Sequence, residues 1–434
     1  MSIINNSKIA NYIKDVCSYI KYKECHHEVQ EELRSHIEDI YDEYIEQGES
    51  PSTALDKAIK RMGNSHEIGT KLNMAHKGSP DWITLILTLI LVNTGVIFMY
   101  FIKSNNILEN SNRLFCNTLK TSIIGTLLII ILFYFDYRKL QKYSHHIFIG
   151  SLILIFLCSY IIRYVAPSST ILCGDNFRQI IFITPYLFII SLCGIFEKIS
   201  FKNKYEIIKL LILCPIPLFL FIKAECITPL LIYVVGFIVI LMCCKIKIKF
   251  ILVPIFFITS LLSGLIIIEP YHCARLKAFI YFKNDPHGFG YLNNLMQNTL
   301  NFMKPFGNGF CKSHSFLVDG HKELALNYIT YSLGWITLII IICLFIVFIF
   351  RLLSIKKFIN NNYGKSLVCG LSSIFIVKII YNIFMNFNLL PLSGISIPFI
   401  SYGVPENLFN MLSIGIILSV YRRRSLSLPL QNSK

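Results

Sequence analysis

The sequence predicts an all-α, polytopic membrane protein of about ten transmembrane helices, preceded by a small soluble helical domain. Three observations carry that prediction. The 434-residue chain is 54% hydrophobic, with a mean hydropathy of +0.58, too apolar for an ordinary soluble protein. Its apolar residues come in continuous runs rather than strict alternation, which favours helices over barrel strands, and only those two structures satisfy their backbone in lipid. Lys and Arg gather at every second connection between the runs, as the positive-inside rule requires.

The N-terminal domain is expected at residues 1–79, with helical periodicity at 7–23, 26–47, 51–62 and 64–76. Gly48 closes the second segment, Ser50-Pro51 opens the third, and Gly63-Asn64 turns into the fourth. This stretch holds 10 Lys and Arg against 13 Asp and Glu, so 31 of the 41 basic and 12 of the 25 acidic residues lie beyond it. The formal net charge of +16 is therefore a membrane-topology signal and not a nucleic-acid footprint. Cys25-His26-His27 with His36 has the wrong spacing for zinc and reads as a polar patch on a solvated helix, so no metal site is expected. Most of the 14 cysteines lie in apolar runs, which argues against a disulfide framework. No cleavable signal peptide is visible in the polar, acidic N-terminus.

Lys77-Gly78-Ser79-Pro80 is the hinge into the membrane domain, residues 80–424. A span needs roughly 20 apolar residues, and candidates fall at about 82–102, 119–135, 147–165, 180–196, 207–222, 228–244, 250–268, 328–350, 366–387 and 405–421. With the N-terminus in the cytoplasm, the inward connections carry Arg138, Lys139 and Lys142; Lys198, Lys202 and Lys204; Lys245, Lys247 and Lys249; and Arg351, Lys356, Lys357 and Lys365. Arg422, Arg423 and Arg424 then open a cytoplasmic tail, residues 425–434. Both termini are thus expected inside, and one long outward loop, about 269–327, separates the seventh and eighth spans. A loop of that length is usually functional or disordered, and its clusters of Gly, Pro, aromatic and charged residues favour function. Lys378 stands mid-span in the ninth helix, where a charge is costly unless it faces a cavity or a partner.

Before the tenth span the chain reads Asn388-Leu389-Leu390-Pro391-Leu392-Ser393-Gly394-Ile395-Ser396-Ile397-Pro398-Phe399-Ile400-Ser401-Tyr402-Gly403. Pro and Gly break helix, and broken backbone at membrane depth is tolerated only where it lines a cavity or is buried in protein. This string resembles the signature of the FtsW/RodA/SpoVE family of bacterial shape, elongation, division and sporulation proteins. The outward loop adds Pro270-Tyr271, Arg275-Leu276, Phe279, Asp285-Pro286 and Phe306-Gly307-Asn308-Gly309-Phe310 to the match. His321-Lys322-Glu323 stands where the family has His-Thr-Asp, and Lys223-Ala224-Glu225 with Thr228 where it has a Gln-Pro-Asp stretch. The resemblance covers about residues 80–424 and is densest after 268. Residues 31–63 also resemble the helical prefix domain ahead of some bacterial permeases, which implies a cytoplasmic partner for residues 1–79.

The family resemblance implies a peptidoglycan glycosyltransferase that polymerises lipid II at the outer membrane face beside a class B penicillin-binding transpeptidase. Such chemistry needs a base for the acceptor hydroxyl and cations for the leaving pyrophosphate. Glu323 is the expected base. Arg275, Lys277 and Lys322 are the expected cations, with His321, Lys378, Asp285 and Ser401 as further substrate contacts. No cofactor is implied, and a divalent cation is left open. The chain departs from the pattern at Glu323 in place of Asp, at Tyr331-Ser332 in place of a Glu pair, and at Val404-Pro405-Glu406 in place of Gly-Ser-Ser. Two other readings therefore stand beside the polymerase: a scaffold or regulator of a cell-wall complex, and a transporter of a lipid-linked solute.

Overall fold

A computed structural model of the protein describes residues 7–20, 26–75, 80–162, 177–197, 215–244, 270–284, 288, 290–310 and 320–424. The chain divides into two compact units, Met1–Ser79 with Arg422–Lys434, and Pro80–Tyr421. Every regular element among the described residues is helical.

In the first unit, α1 (Ser7–Ser18), α2 (His26–Glu46), α3 (Pro51–Met62) and α4 (Ser65–Ala75) surround a core of Ile9, Ile13, Val16, Ile37 and Leu55. The start of α3 follows from its sequence: Ser50 is extended, its hydroxyl accepts the Thr53 N–H, and Pro51 takes the first turn, where its missing N–H costs nothing. Gly63, at φ 96°, ends it.

The membrane unit contains α5 (Trp82–Ser104), α6 (Ser111–Tyr134), α7 (Arg138–Lys142), α8 (Ser144–Tyr160), α9 (Thr184–Glu197), α10 (Pro215–Lys223), α11 (Ile227–Cys243), α12 (Pro270–Ile280), α13 (Tyr291–Asn301), α14 (Ala325–Leu333), α15 (Trp335–Ile355), α16 (Asn362–Asn386) and α17 (Val404–Arg422). Among the described residues, six helices are long and apolar enough to cross a membrane: α5, α6, the stretch Phe177–Glu197 that ends in α9, α15, α16 and α17. α8 and α11 are shorter apolar helices at two further expected spans. The fifth span is described only from Pro215, and the seventh, 250–268, lies outside the described residues. The protein is a multi-pass membrane protein, and its outward apolar side chains, such as Ile83, Ile90 and Ile97 on α5, are those a lipid surface would cover.

The eighth span differs from the expectation. Its long helix begins at Trp335, not at 328, because Gly334 breaks the run at φ 94°. The turn 305–309 fills the break: the amides of Asn308 and Gly309 donate to the carbonyls of Tyr331 and Ser332 at 2.9 and 3.0 Å, and Trp335 N–H donates to Lys304 O at 3.3 Å. A side chain at Gly334 would strike Pro305 backbone. The long loop expected at 269–327 also carries regular structure, since α12, α13 and the first three residues of α14 fall within it. At the entry to α5, buried Asp81 holds Arg351 of α15 at 2.6 Å.

A candidate active-site cavity

The chain between α16 and α17 is not helical, and its sequence says why. Pro391 and Pro398 offer no N–H, and Asn388, Gly394 and Phe399 sit at φ 58°, 73° and 69°. Buried backbone groups must still be paired, and asparagines on the flanking helices do much of this. From α16, Asn382 Nδ2 donates to Ile395 O at 2.6 Å. From α17, Asn407 accepts the Phe399 N–H at 3.1 Å and donates to Ser401 O at 2.8 Å. The Ser401 hydroxyl accepts the Ile397 N–H at 3.1 Å, Tyr381 OH donates to Pro391 O at 2.9 Å, and the Thr228 hydroxyl donates to Ser393 O. Gly95 lets α5 approach closely, because a Cβ there would collide with Phe399 O.

Glu323 stands in the turn before α14, and α16 clamps its backbone. Its carbonyl accepts Asn382 Nδ2 at 3.0 Å and Asn386 Nδ2 at 3.2 Å, while Asn386 Oδ1 accepts the Asn327 N–H at 3.0 Å. Two residues earlier, His321 O accepts the Tyr402 N–H at 2.8 Å, and the two rings lie 5.7 Å apart. The Glu323 carboxylate lies over Gly394, where a Cβ would come 3.1 Å from Oε1. The bare glycine leaves room for the longer acid.

These elements form a cavity of about 680 Å³, walled by Arg178, Gln179 and Phe182 before α9, residues 224–226 between α10 and α11, residues 227–229 in the first turn of α11, Leu276, Lys322, Glu323, Tyr381, residues 391–394, Ser396, Tyr402, Gly403, Pro405 and Glu406. Its size suits a small-molecule or head-group site. Three carboxylates (Glu225, Glu323, Glu406) and two cations (Arg178, Lys322) line it. Glu225 is held at φ 55°, a conformation uncommon for a residue with a side chain. Burial pushes the Cys226 thiol up to about 11, which argues against a thiolate nucleophile. Among the described residues, no group of three or more His, Cys, Asp or Glu is placed to hold a metal ion.

Of the residues the sequence singled out, Glu323 and Lys322 line the cavity. His321 stands behind it against Tyr402. Ser401 is buried and bonded to backbone, and Lys277 is exposed, one residue past the lining Leu276. Lys378 is fully buried in α16; its ammonium is 2.5 Å from Glu406 Oε1, so it meets the cavity only through that acid. The Arg275 side chain and Asp285 lie outside the described residues. Sequence reasoning passed over Arg178, which no motif marks. It also passed over the asparagines at 382, 386, 407 and 410, whose signal was polarity at helical spacing inside apolar helices.

Comparison with known proteins gives a consistent picture. The model of the FtsW, RodA and SpoVE cell cycle proteins matches residues 81–426. A probable peptidoglycan glycosyltransferase FtsW of Trichlorobacter lovleyi is 28% identical over 161 residues, 36% of this chain and 42% of that protein. The corresponding protein of Coxiella burnetii is 31% identical over 166 residues, 36% of this chain and 44% of its own length. The matched segment thus spans only about two fifths of these curated relatives. Among solved structures, a chain from a peptidoglycan synthase complex that coordinates polymerization and crosslinking superposes with a TM-score of 0.62 at 15% identity, covering 80% of this chain and 98% of that one. The rod shape determining protein RodA of Thermus thermophilus gives 0.56 at 14% identity, with the same coverage. At such identities the likeness is one of fold.

Proposed function

The chain belongs to the FtsW, RodA and SpoVE family of cell cycle proteins, and from that premise we propose that it is a peptidoglycan glycosyltransferase. Its substrate is lipid II, the undecaprenyl-pyrophosphate-linked disaccharide pentapeptide, which it joins into glycan strands at the outer face of the cytoplasmic membrane. The observation that carries this reading is the Glu323 carboxylate in a cavity of about 680 Å³ that also presents Lys322 and Arg178. Glu323 accepts the proton of an acceptor sugar hydroxyl. That oxygen bonds to the anomeric carbon of the donor as the carbon–oxygen bond to pyrophosphate breaks, and undecaprenyl pyrophosphate leaves. Lys322 and Arg178 face the phosphate oxygens, where ammonium and guanidinium groups stabilise growing charge. Lys277, exposed one residue past the lining Leu276, is a further cation for the phosphates.

The basic inward connections support a cytoplasmic N-terminus and C-terminus, which sets the cavity toward the outside. A class B penicillin-binding transpeptidase is the partner we assign, by analogy with the synthase complex of like fold. The test is full-length protein in detergent with labelled lipid II. Polymer is expected, and Glu323→Gln lowers its rate by about 10²–10⁴-fold, the usual share of a general base. Folded protein that makes no polymer, alone or with a transpeptidase, would overturn the assignment in favour of a scaffold. Equal rates from wild type and Glu323→Gln would remove the base from Glu323.

A further inference from the structure

Next to the cavity, several elements converge on one ammonium. Lys378, in the middle of α16, lies 2.5 Å from Glu406 Oε1, and donates to Tyr186 OH at 3.2 Å and Asn410 Oδ1 at 3.4 Å. Three acceptors match its three protons. Tyr186 in turn donates to Asn410 Oδ1 at 2.5 Å. The second oxygen of Glu406 accepts the Ser396 hydroxyl at 2.6 Å. One side chain therefore ties the interior of α16 to the broken segment at Ser396, just before the turn that Ile397 and Ser401 close with two hydrogen bonds at 3.1 and 3.2 Å.

The same helix also holds the turn that carries Glu323. Lys378, Asn382 and Asn386 follow at intervals of four, on one face of α16. Lys378 fixes Glu406, Asn382 fixes Ile395 O and Glu323 O, and Asn386 fixes Glu323 O and the Asn327 N–H. A third link closes the loop: Tyr402, next to Gly403, donates its N–H to His321 O.

We propose that the Lys378–Glu406 ion pair is a positioning device: by fixing Ser396 it fixes the hydrogen-bonded turn from Ile397 to Ser401 and with it Tyr402, and through the Tyr402–His321 hydrogen bond it sets where the Glu323 carboxylate stands. The role rests on the reading of Glu323 as the base. It is exerted on turnover and not on substrate affinity, because the bridging oxygens of Glu406 are already engaged by Lys378 and Ser396.

The experiment uses full-length protein in lipid nanodiscs and the variants Lys378→Met, Glu406→Gln and Glu406→Asp. Glu406→Asp keeps both charges, and so the means to fold, but is one methylene too short to reach Lys378 and Ser396 together. Amide hydrogen exchange is followed in the peptides covering 320–324 and 396–403, and polymerisation of lipid II is measured in parallel. In each variant both peptides exchange faster, by about tenfold or more in Glu406→Asp, while the helix α5 peptides stay as in wild type. The kcat falls by about 10²-fold, the scale of a roughly 1 Å misplacement, with KM within about threefold. Unchanged exchange at 320–324 while 396–403 loosens overturns the proposal, since the two ends are then uncoupled. A raised KM at constant kcat also overturns it and makes Glu406 a substrate contact. If wild type makes no polymer, the function proposed above fails, and exchange alone decides whether the pair positions the turn. If Lys378→Met does not fold, Glu406→Asp carries the decision.

Discussion

The two units of the chain treat charge in opposite ways. In the N-terminal unit the ion pairs lie on the surface: Lys8–Asp56 at 2.6 Å, Arg61–Glu43 at 2.7 Å, Lys71–Glu67 at 2.6 Å, and Lys57–Glu49. Its interior is aliphatic. In the membrane unit the outward faces of α5, α6 and α15 are rows of Ile and Leu, and the charges have moved inward: Asp81 and Lys378 are all but inaccessible. Water solvates an exposed ion and leaves its pair worth about 0–1 kcal/mol. Lipid offers no such solvation, so a charge within the span must find its counter-ion in protein. The difference teaches that the same residue types are surface dressing in one unit and structural joints in the other.

The sharpest way to break that contrast is to strand one charge of the buried pair. Lys378→Met leaves Glu406 with only the Ser396 hydroxyl, and Glu406→Gln leaves an unbalanced ammonium in the helix interior. Removing one partner of a buried pair costs about 3–5 kcal/mol, whereas replacing both by neutral groups of similar size is often neutral. Each single variant is thus expected to lower the unfolding midpoint in detergent markedly, and Lys378→Met/Glu406→Gln to recover most of it. A double variant no more stable than the singles would mean that the pair's hydrogen bonds, not its charge balance, carry the joint.

A smaller effect probes the packing that surrounds the joint. α5 touches the broken segment through Gly95, where a Cβ would meet Phe399 O and the Ile400 Cα. Gly95→Ala must push that segment away, and overpacking of this kind costs about 1–3 kcal/mol. Gly150 on α8 has nothing within 4 Å of its would-be Cβ and serves as the matched control. Thermal unfolding of the two variants should separate them, with Gly150→Ala at wild-type stability. Equal midpoints would indicate that α5 does not press on the segment.

How much of this was legible beforehand depended on the distance in sequence between the groups that meet. The spans came from composition, and the break from Pro391, Gly394 and Pro398, which announce themselves locally. Glu323 and Lys322 came from a resemblance to a family pattern. The start of the eighth span did not, because the partner of Gly334 is the turn at 305–309 in the preceding loop, and hydropathy sees only the apolar run. Lys378 was marked as needing a partner, yet Glu406 lies on another helix, and helical periodicity pairs residues three or four apart, not across a bundle. Arg178 carried no mark at all: a lone basic residue at the end of a connection between two spans looks like any other until the fold brings it to the cavity wall.

The weakest test lies at the other end of the comparison, on the solvated unit. Lys71, hydrogen-bonded to Glu67 one turn before it on α4, holds that carboxyl below the usual carboxylate range. A folded-state value below the unfolded one means that the pair contributes above the unfolded value of about 4.3, and that its contribution is lost as pH falls through the folded value. Lys71→Ala should therefore lower stability slightly at pH 7 and progressively less as pH falls through the folded value, and the difference should shrink in about 1 M salt, where the screening length is about 3 Å. Chemical denaturation of the full-length protein, followed at the N-terminal unit by hydrogen exchange, reads this. A pH-independent loss would trace the effect to lost packing of the Lys71 methylenes and not to its charge, since alanine is the better helix former. No salt dependence is expected at Lys378 under the same conditions, since counter-ions do not reach a group with no exposed surface, and that asymmetry is the physical content of the contrast between the two units.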